Sequence, residues 1–117
     1  MKGIGIDIVR IERMGTLNEY ALQRIFHPEE VAHAQGLEGD ARLEFLSGRY
    51  AAKEAFAKAL GTGLRGIKPS EVLVRNRENG SPEMVLFGET KAKWEQMKIL
   101  VSISHDKPSA VAVVLVE

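Results

Sequence analysis

The fold of this chain is decided by the stretch from Asp40 to Leu60, which reads DARLEFLSGRYAAKEAFAKAL. At about 3.6 residues per turn, its apolar side chains fall on two opposite faces of a helix rather than on one. A helix that is apolar on both faces is typical of a buried central element. Asp40 is a residue type that caps helix N-termini, and Gly61 stands where a C-terminal stop belongs. We therefore predict one long central helix over residues 40–60.

The first strand is predicted from strict alternation at the start of the chain. Ile4, Ile6 and Ile8 alternate with two glycines and Asp7. A period of two with β-branched residues indicates a strand. We expect the three isoleucines to face the core, with Asp7 on the other face and the small glycines leaving open space beside it.

Further patterns predict short helices and two hairpins around the central helix. They are a helix over residues 11–25, a helix starting at His27-Pro28, a hairpin of residues 72–75 and 84–87 around Asn79-Gly80, a helix over 89–97 anchored by Trp94, and a closing hairpin of 99–104 and 110–116. No repeat or linker interrupts this order. The sequence therefore predicts a single α+β domain over residues 1–117, with an antiparallel sheet packed against the long helix.

The composition excludes several classes of protein. The 117 residues carry 16 Lys plus Arg and 16 Asp plus Glu, whereas proteins that coat nucleic acid need a basic excess. The absence of cysteine excludes disulfides and thiolate nucleophiles. No apolar run approaches the roughly 20 residues of a membrane span, and Asp7 interrupts the apolar start that a signal peptide would need. We expect a cytoplasmic protein that binds neither nucleic acid nor membrane.

Two carboxylates are placed unusually, because each lies on an element predicted to be buried. Asp7 is on the first strand and Glu54 is on the central helix. Either can be structural: Asp7 as a salt bridge or cap, and Glu54 as an i,i+4 partner of Lys58. Together they offer the hard oxygen ligands of a Mg²⁺ site, which water and phosphate complete.

The central helix also carries three cations. Arg49 and Lys53 are spaced i,i+4, a like-charge pair that destabilises a helix unless an anion lies between them. Lys58 follows one to two turns later. Cations for phosphates beside carboxylates for a metal suggest phosphoryl-type chemistry, although a solvated charged face is the structural alternative.

Two further features are less specific. His105 ends the strand 101–104 and is either a backbone-bonded turn residue or an acid, base or phosphate donor. Gly61, Gly63 and Gly66 match the spacing G-x-G-x-x-G, but they follow a helix, and the dinucleotide fingerprint must follow a strand. Gly61 then simply ends the helix, while Gly63 and Gly66 permit close backbone approach to a phosphate.

Four segments together resemble the small 4′-phosphopantetheinyl transferases of the holo-acyl-carrier-protein synthase type. Gly3–Val9 is similar to their first motif, and Gly48–Gly63, with its K-E-A core, to their second and most diagnostic one. Asn79–Pro82 and Val101–His105 resemble two weaker segments. The resemblance covers the whole chain with the motifs in the right order. Ser81 departs from the family, which often has Lys or Arg there.

The resemblance implies an enzyme that transfers the phosphopantetheine arm of coenzyme A to a serine of apo-acyl carrier protein. The reaction releases adenosine 3′,5′-bisphosphate and supports fatty acid biosynthesis. Asp7 and Glu54 would bind Mg²⁺, and Lys58 would hold the pyrophosphate. The residues that would lie around the coenzyme are Arg49, Lys53, Lys58, Gly61, Gly63, Asn79, Pro82 and His105. The resemblance also implies a homotrimer with active sites between subunits.

The general base stays open between a metal-bound water, ranked first, Glu54 and His105. Acyl carrier proteins are acidic around the modified serine, as the resemblance implies. The residues expected to bind them lie along one edge of the predicted helix 11–25, namely Arg13, Met14, Leu17, Ala21 and Arg24, with Arg10 a weaker candidate. Two alternative functions are those of an inactive relative that only binds coenzyme A or a nucleotide, and of a subunit of a larger synthase.

Overall fold

A computed structural model describes residues 2–117, and Met1 lies outside them. These residues form five strands and four α-helices. The elements are β1 (Gly3–Arg10), a 3-10 helix (Ile11–Thr16), α1 (Glu19–Ile25), α2 (Pro28–Gln35), α3 (Gly39–Leu60), two 3-10 turns (Gly63–Gly66 and Pro69–Glu71), β2 (Val72–Asn76), β3 (Pro82–Leu86), α4 (Gly88–Trp94), β4 (Ile99–Asp106) and β5 (Ser109–Val116). Strands β1, β5 and β4 form one antiparallel sheet in that order, and β2 and β3 form a separate hairpin. The predicted α+β fold is confirmed.

Helix α3 is the central element, as predicted. Half of its residues are buried, among them Leu46 and Phe56. Its N-cap is Glu38 and not Asp40, whose carboxylate lies in the first turn and pairs with Lys107. At the other end, Gly61 stops the helix with a left-handed φ of 76°. None of the helices within residues 2–117 is long and apolar enough to span a membrane.

Strand β1 lies against α3 with the face opposite to the one we predicted. Ile4, Ile6 and Ile8 are 61–69% exposed, whereas Gly5 is buried. A Cβ atom at Gly5 would lie 2.0 Å from the carbonyl oxygen of Ala55. The glycines therefore let the strand approach the helix backbone closely, and the space that they leave is filled by α3. The prediction that the isoleucines face the core is wrong for this reason.

The predicted helix over residues 11–25 is divided in two. A 3-10 helix ends at Thr16, Leu17 is extended, and Asn18 caps α1 by accepting a hydrogen bond from the Ala21 amide at 2.8 Å. Asparagine is among the best N-cap residues, so it starts a new helix here. Arg13 and Arg24 therefore do not lie along one edge of a single helix.

The two predicted hairpins and the remaining helices agree with the structure to within a few residues. His27 caps α2, which begins at Pro28. Trp94 anchors α4 by donating its indole N–H to the Gly66 carbonyl at 2.9 Å. The register of β4 with β5 pairs Ile99 with Val116 and ends at Asp106 with Ser109.

Candidate active site

Asp7 and Lys58 meet where β1 crosses α3. The Lys58 ammonium donates to Asp7 Oδ1 at 3.0 Å and to the Ile6 carbonyl at 3.0 Å. The Asp7 side chain is only 16% exposed, whereas that of Lys58 is 53% exposed. Asp7 lies on the strand face that also carries Gly5, so the close approach of β1 to α3 delivers its carboxylate to the helix.

Glu54 lies one turn before Lys58 on the same side of α3. Tyr50 lies one further turn back, and burial raises the pKa of its phenol, with the Glu54 carboxylate as the next cause and Asp7 as a smaller one. Both carboxylates therefore contribute to the raised pKa of one phenol. Lys58 forms its ion pair with Asp7 rather than with Glu54, so the i,i+4 alternative for Glu54 is not what the structure has.

The donor set of this cluster fits a magnesium ion. Asp7 and Glu54 offer two carboxylates, and residues 2–117 contain no group of three or more side chains able to hold a metal. Mg²⁺ is commonly held by one or two carboxylates and takes its remaining ligands from water and substrate phosphate. The pair is thus suited to a metal that works on a phosphorylated substrate.

Arg49 and Lys53 lie on another side of α3. Five residues separate Arg49 from Glu54, which is about 140° around the helix axis, and Lys58 lies about 180° away. Arg49 donates to Asn76 Oδ1 at 3.3 Å, and its guanidinium covers the ring of Phe45 at 4.3 Å. One chain therefore does not bring Arg49 to the Asp7–Lys58 pair.

Lys53 is not free to bind a phosphate, contrary to the prediction. Its side chain is 1% exposed and its ammonium is 2.6 Å from Glu30 Oε1. Three backbone carbonyls also accept hydrogen bonds from it. Burial lowers the pKa of Lys53 while the Glu30 carboxylate opposes that shift. Since an ammonium has three donors, this network uses all of them.

Arg49 keeps an unused donor beside a cavity. Its Nε is buried without a partner, and burial lowers the pKa of its guanidinium. The cavity measures about 250 Å³, and Arg75 and Asn76 also line it. Of the two cations predicted to lie near nucleotide phosphates on this side of the helix, Arg49 is therefore the available one.

His105 lies away from the Asp7–Lys58 pair within one chain. Its Nδ1 is 3.8 Å from Glu44 Oε2. Glu44 precedes Glu54 by ten residues, or about 15 Å along the helix axis. A role for His105 at the two carboxylates would therefore require a second copy of the chain.

The glycines and the hairpin tip occupy the positions expected from the sequence. Gly61 and Gly63 have left-handed φ values of 76° and 63°, and nothing lies within 4 Å of the Cβ that either lacks. Asn79 accepts a hydrogen bond from the Ser81 amide at 3.0 Å, and Pro82 begins β3. The backbone at both glycines is thus open to a close-approaching ligand.

The predicted partner residues are dispersed. Arg13 lies over the Tyr50 ring at 5.9 Å, beside the carboxylates, and Arg24 donates to the Tyr20 hydroxyl at 2.7 Å. Leu17 and Ala21 are half-buried. Met14 is 5% exposed and packs in the core, so its predicted contact with a partner is wrong.

Sequence reasoning missed Glu30. An acidic residue in the first turn of a helix is favourable in itself, and no sequence pattern gives Glu30, in the first turn of α2, a further role. The like-charge pair of Arg49 and Lys53 did signal that an anion was needed, and the structure supplies it as Glu30 rather than as a bound phosphate.

Comparison with known proteins identifies the family of this chain. The family model of the 4′-phosphopantetheinyl transferase superfamily matches residues 3–114. A holo-[acyl-carrier-protein] synthase of Oceanobacillus iheyensis is 39% identical over 98% of this chain and 95% of its own length. The crystal structure of a holo-(acyl-carrier-protein) synthase from Bacillus anthracis in complex with CoA (3′,5′-ADP) has a TM-score of 0.84 and 38% identity, over 98% of this chain and 95% of that one.

A third similarity is to an ACPS–CoA complex of Chronobacterium ammoniagenes, with a TM-score of 0.83 and 29% identity over 100% of this chain and 97% of that one. The predicted resemblance and the enzyme class that it implied are thereby confirmed: the chain belongs to the 4′-phosphopantetheinyl transferase superfamily.

Proposed function

We propose that this protein transfers the 4′-phosphopantetheine group of coenzyme A to a serine of apo-acyl carrier protein, with Mg²⁺ required and adenosine 3′,5′-bisphosphate released. The observation that carries the proposal is the meeting of Asp7 and Lys58 one turn from Glu54. Two carboxylates and an exposed ammonium are sufficient for a phosphoryl-type transfer, which needs positioning and charge neutralisation more than covalent catalysis.

The serine oxygen forms a bond to the β-phosphorus of coenzyme A, and the bond from that phosphorus to the bridging oxygen breaks. A bound Mg²⁺ supplies Lewis-acid neutralisation of the phosphate oxygens. Asp7 and Glu54 would hold that ion. The side chain of Lys58 is half exposed. Its ammonium would bind the pyrophosphate and stabilise the charge that develops on the leaving phosphate. The serine proton passes to a base, for which water, Glu54 and His105 stay the alternatives.

Arg49 and the β2–β3 hairpin would receive the nucleotide end of coenzyme A. Arg49 has an unused buried donor and lies against Asn76, three residues before Asn79 at the hairpin tip. Because Arg49 faces about 140° away from Glu54, the nucleotide and pyrophosphate ends would be held by two copies of the chain. His105 would reach the coenzyme in the same way, from a neighbouring copy.

One assay tests the proposal. The protein is incubated with coenzyme A, Mg²⁺ and apo-acyl carrier protein, and the carrier protein is weighed for the added arm. We expect complete conversion with Mg²⁺ and none with excess EDTA. Binding of coenzyme A without any gain in mass would favour the rival function, a protein that senses the nucleotide without transferring it.

We expect the charge reversal Arg13→Glu to raise the dissociation constant of the carrier protein at least tenfold and to leave that of coenzyme A within twofold. Arg13 lies over Tyr50 at the edge of the carboxylate cluster, and a like charge facing an acidic partner is strongly unfavourable. Titration calorimetry with each ligand measures both constants. Lys98→Glu, on an exposed residue at the other end of the sheet, is the matched control and should bind both ligands normally; an unchanged carrier affinity in Arg13→Glu would refute the docking role.

We propose further that three copies of the chain assemble through the outer face of the β1–β5–β4 sheet. In register, Ile4 pairs with Leu115, Ile6 with Val113 and Ile8 with Val111. The three isoleucines are largely exposed in one chain. Because large contiguous apolar patches are rare on monomers, we expect other copies of the chain to cover this face. A second copy is also what would complete a site whose parts lie on different sides of α3. The cytoplasmic location and the role in fatty acid biosynthesis stay predictions.

The central isoleucine offers a direct test of assembly. We expect Ile6→Lys to convert the trimer to monomers, because three ammonium groups would be buried together, and to lower the transfer rate at least tenfold. Light scattering after gel filtration measures the mass. Ala32→Lys adds the same charge on the exposed side of α2 and should leave both mass and rate unchanged. An Ile6→Lys protein that remains trimeric would contradict this interface.

A further inference from the structure

A buried ion pair ties four segments of the chain together at one point. The Lys53 ammonium donates to the carbonyls of Ile25 at 3.1 Å, Pro69 at 2.8 Å and Val72 at 2.7 Å, besides its 2.6 Å contact with Glu30. These partners belong to the end of α1, the 3-10 turn before β2, the start of β2, and α2. Lys53, at the centre of this junction, directly precedes Glu54 on α3.

Glu30 extends the junction further along β2. Its Oε2 accepts a hydrogen bond from the Val74 amide at 2.9 Å, and its Oε1 also accepts from the His27 amide at 2.9 Å. Glu30 and Lys53 are each 1% exposed. Three of the tethers, those to Pro69, Val72 and Val74, fix the segment that leads into the β2–β3 hairpin, and only one fixes α1.

The hairpin is also held by apolar contacts, because Val72 and Val74 lie in the core that contains Phe56 of α3. Its strand β2 ends at Asn76, which accepts a hydrogen bond from Arg49, and at the exposed tip the chain turns through Asn79 and Gly80. The β2–β3 pair is also not hydrogen-bonded into the three-stranded sheet. The junction of Glu30 and Lys53 therefore adds directional polar tethers to the apolar contacts that hold the hairpin against α3.

We propose that Glu30 and Lys53 are positioning residues, which hold the β2–β3 hairpin and Arg49 in the arrangement that binds the nucleotide end of coenzyme A. The inference rests on the proposed function, because it takes the hairpin and Arg49 as the nucleotide side of the site. The charge of Glu30 also stabilises this arrangement. It offsets the repulsion between Arg49 and Lys53, one turn apart on α3.

Removing one member of the pair has a different consequence from removing both. Lys53→Met leaves the Glu30 carboxylate buried without its counterion, which is strongly destabilising, whereas replacing both members of a buried pair by apolar side chains is often tolerated. The double variant Glu30→Met/Lys53→Met should therefore be more stable than Lys53→Met. It still lacks every hydrogen bond that Glu30 and Lys53 make to the segment 69–74, and keeps only the contact of Arg49 with Asn76.

The experiment measures stability and ligand affinity in the same set of full-length variants. Thermal unfolding gives the stability, and calorimetry at a temperature where each variant is folded gives the dissociation constants of adenosine 3′,5′-bisphosphate and of apo-acyl carrier protein. We expect the nucleotide constant to rise at least tenfold in both Lys53→Met and the double variant, while the carrier constant stays within threefold. Leu46→Ala is the matched control, because it destabilises the same helix from a buried position and takes part in none of the hydrogen bonds of the junction, and it should bind the nucleotide within twofold of the wild type.

Each outcome decides the matter. Stability regained in the double variant without regained nucleotide affinity supports positioning. The inference is overturned if the folded double variant binds the nucleotide as the wild type does, or if Leu46→Ala loses as much affinity as Lys53→Met. Should Lys53→Met fail to fold, the double variant alone carries the same comparison. Failure of the wild type to bind adenosine 3′,5′-bisphosphate overturns the proposed function itself.

Discussion

Replacing Glu54 by glutamine is expected to lower the transfer rate about a thousandfold, which corresponds to about 4 kcal/mol of transition-state stabilisation. Glutamine keeps the size of the side chain and one oxygen but removes the charge that holds a hard cation. The same loss is expected for Asp7→Asn, because Asp7 meets Lys58 one turn from Glu54 and would share the metal with it. Both variants should also require a higher Mg²⁺ concentration for half-maximal rate, which a magnesium titration of the mass assay measures.

A control for this result is available on the same helix. Asp40→Asn removes a carboxylate from the first turn of α3, where it pairs with Lys107 far from Glu54. It should leave both the rate and the magnesium requirement unchanged. Full activity of Glu54→Gln or Asp7→Asn at low Mg²⁺ would refute the metal role of these residues.

The second large effect is expected for Lys58→Met, with a loss of about 10²–10³ in kcat, the range found when one preorganised donor to a developing charge is removed. The half-exposed ammonium of Lys58 lies 3.0 Å from Asp7, and in the proposed reaction it turns to the pyrophosphate. Since its contact is strongest with the leaving group, kcat and kcat/KM should fall together rather than KM alone rising.

Magnesium affinity separates this variant from the carboxylate variants. Without the ammonium, Asp7 loses a competing cation, so the magnesium requirement of Lys58→Met should stay the same or fall. Lys58→Arg keeps the charge and should recover part of the rate. A Lys58→Met protein with normal kcat and a raised KM would show that Lys58 only binds the coenzyme.

The charged cluster of Asp7, Glu54 and Lys58 was predictable from the sequence because its members lie in strongly patterned segments. Alternation identified β1 and so the strand that carries Asp7, while helical spacing with Gly61 as a stop identified α3 and the positions of Glu54 and Lys58. Both signals are local, since each depends on residues within a few positions of one another.

Which face of each element is buried was not predictable in the same way. Apolarity alone favoured Ile6 for the core, yet Gly5 packs there, because a small residue lets β1 reach the backbone of α3 at Ala55. Which face of an alternating strand is buried depends on the shape of what packs against it and, in the proposed trimer, on a second copy of the chain.

Local residue patterns are enough to predict the class of fold, the order of its elements and the three residues of the charged cluster, Asp7, Glu54 and Lys58. Only the packed chain shows that Lys53 is buried against Glu30 and that Arg49 lies on another side of α3 from the carboxylates. The two kinds of signal act over different separations along the sequence. Periodicity and capping act between near neighbours in sequence, whereas a buried charge is resolved by whichever opposite charge the fold brings to it, here one 23 residues away.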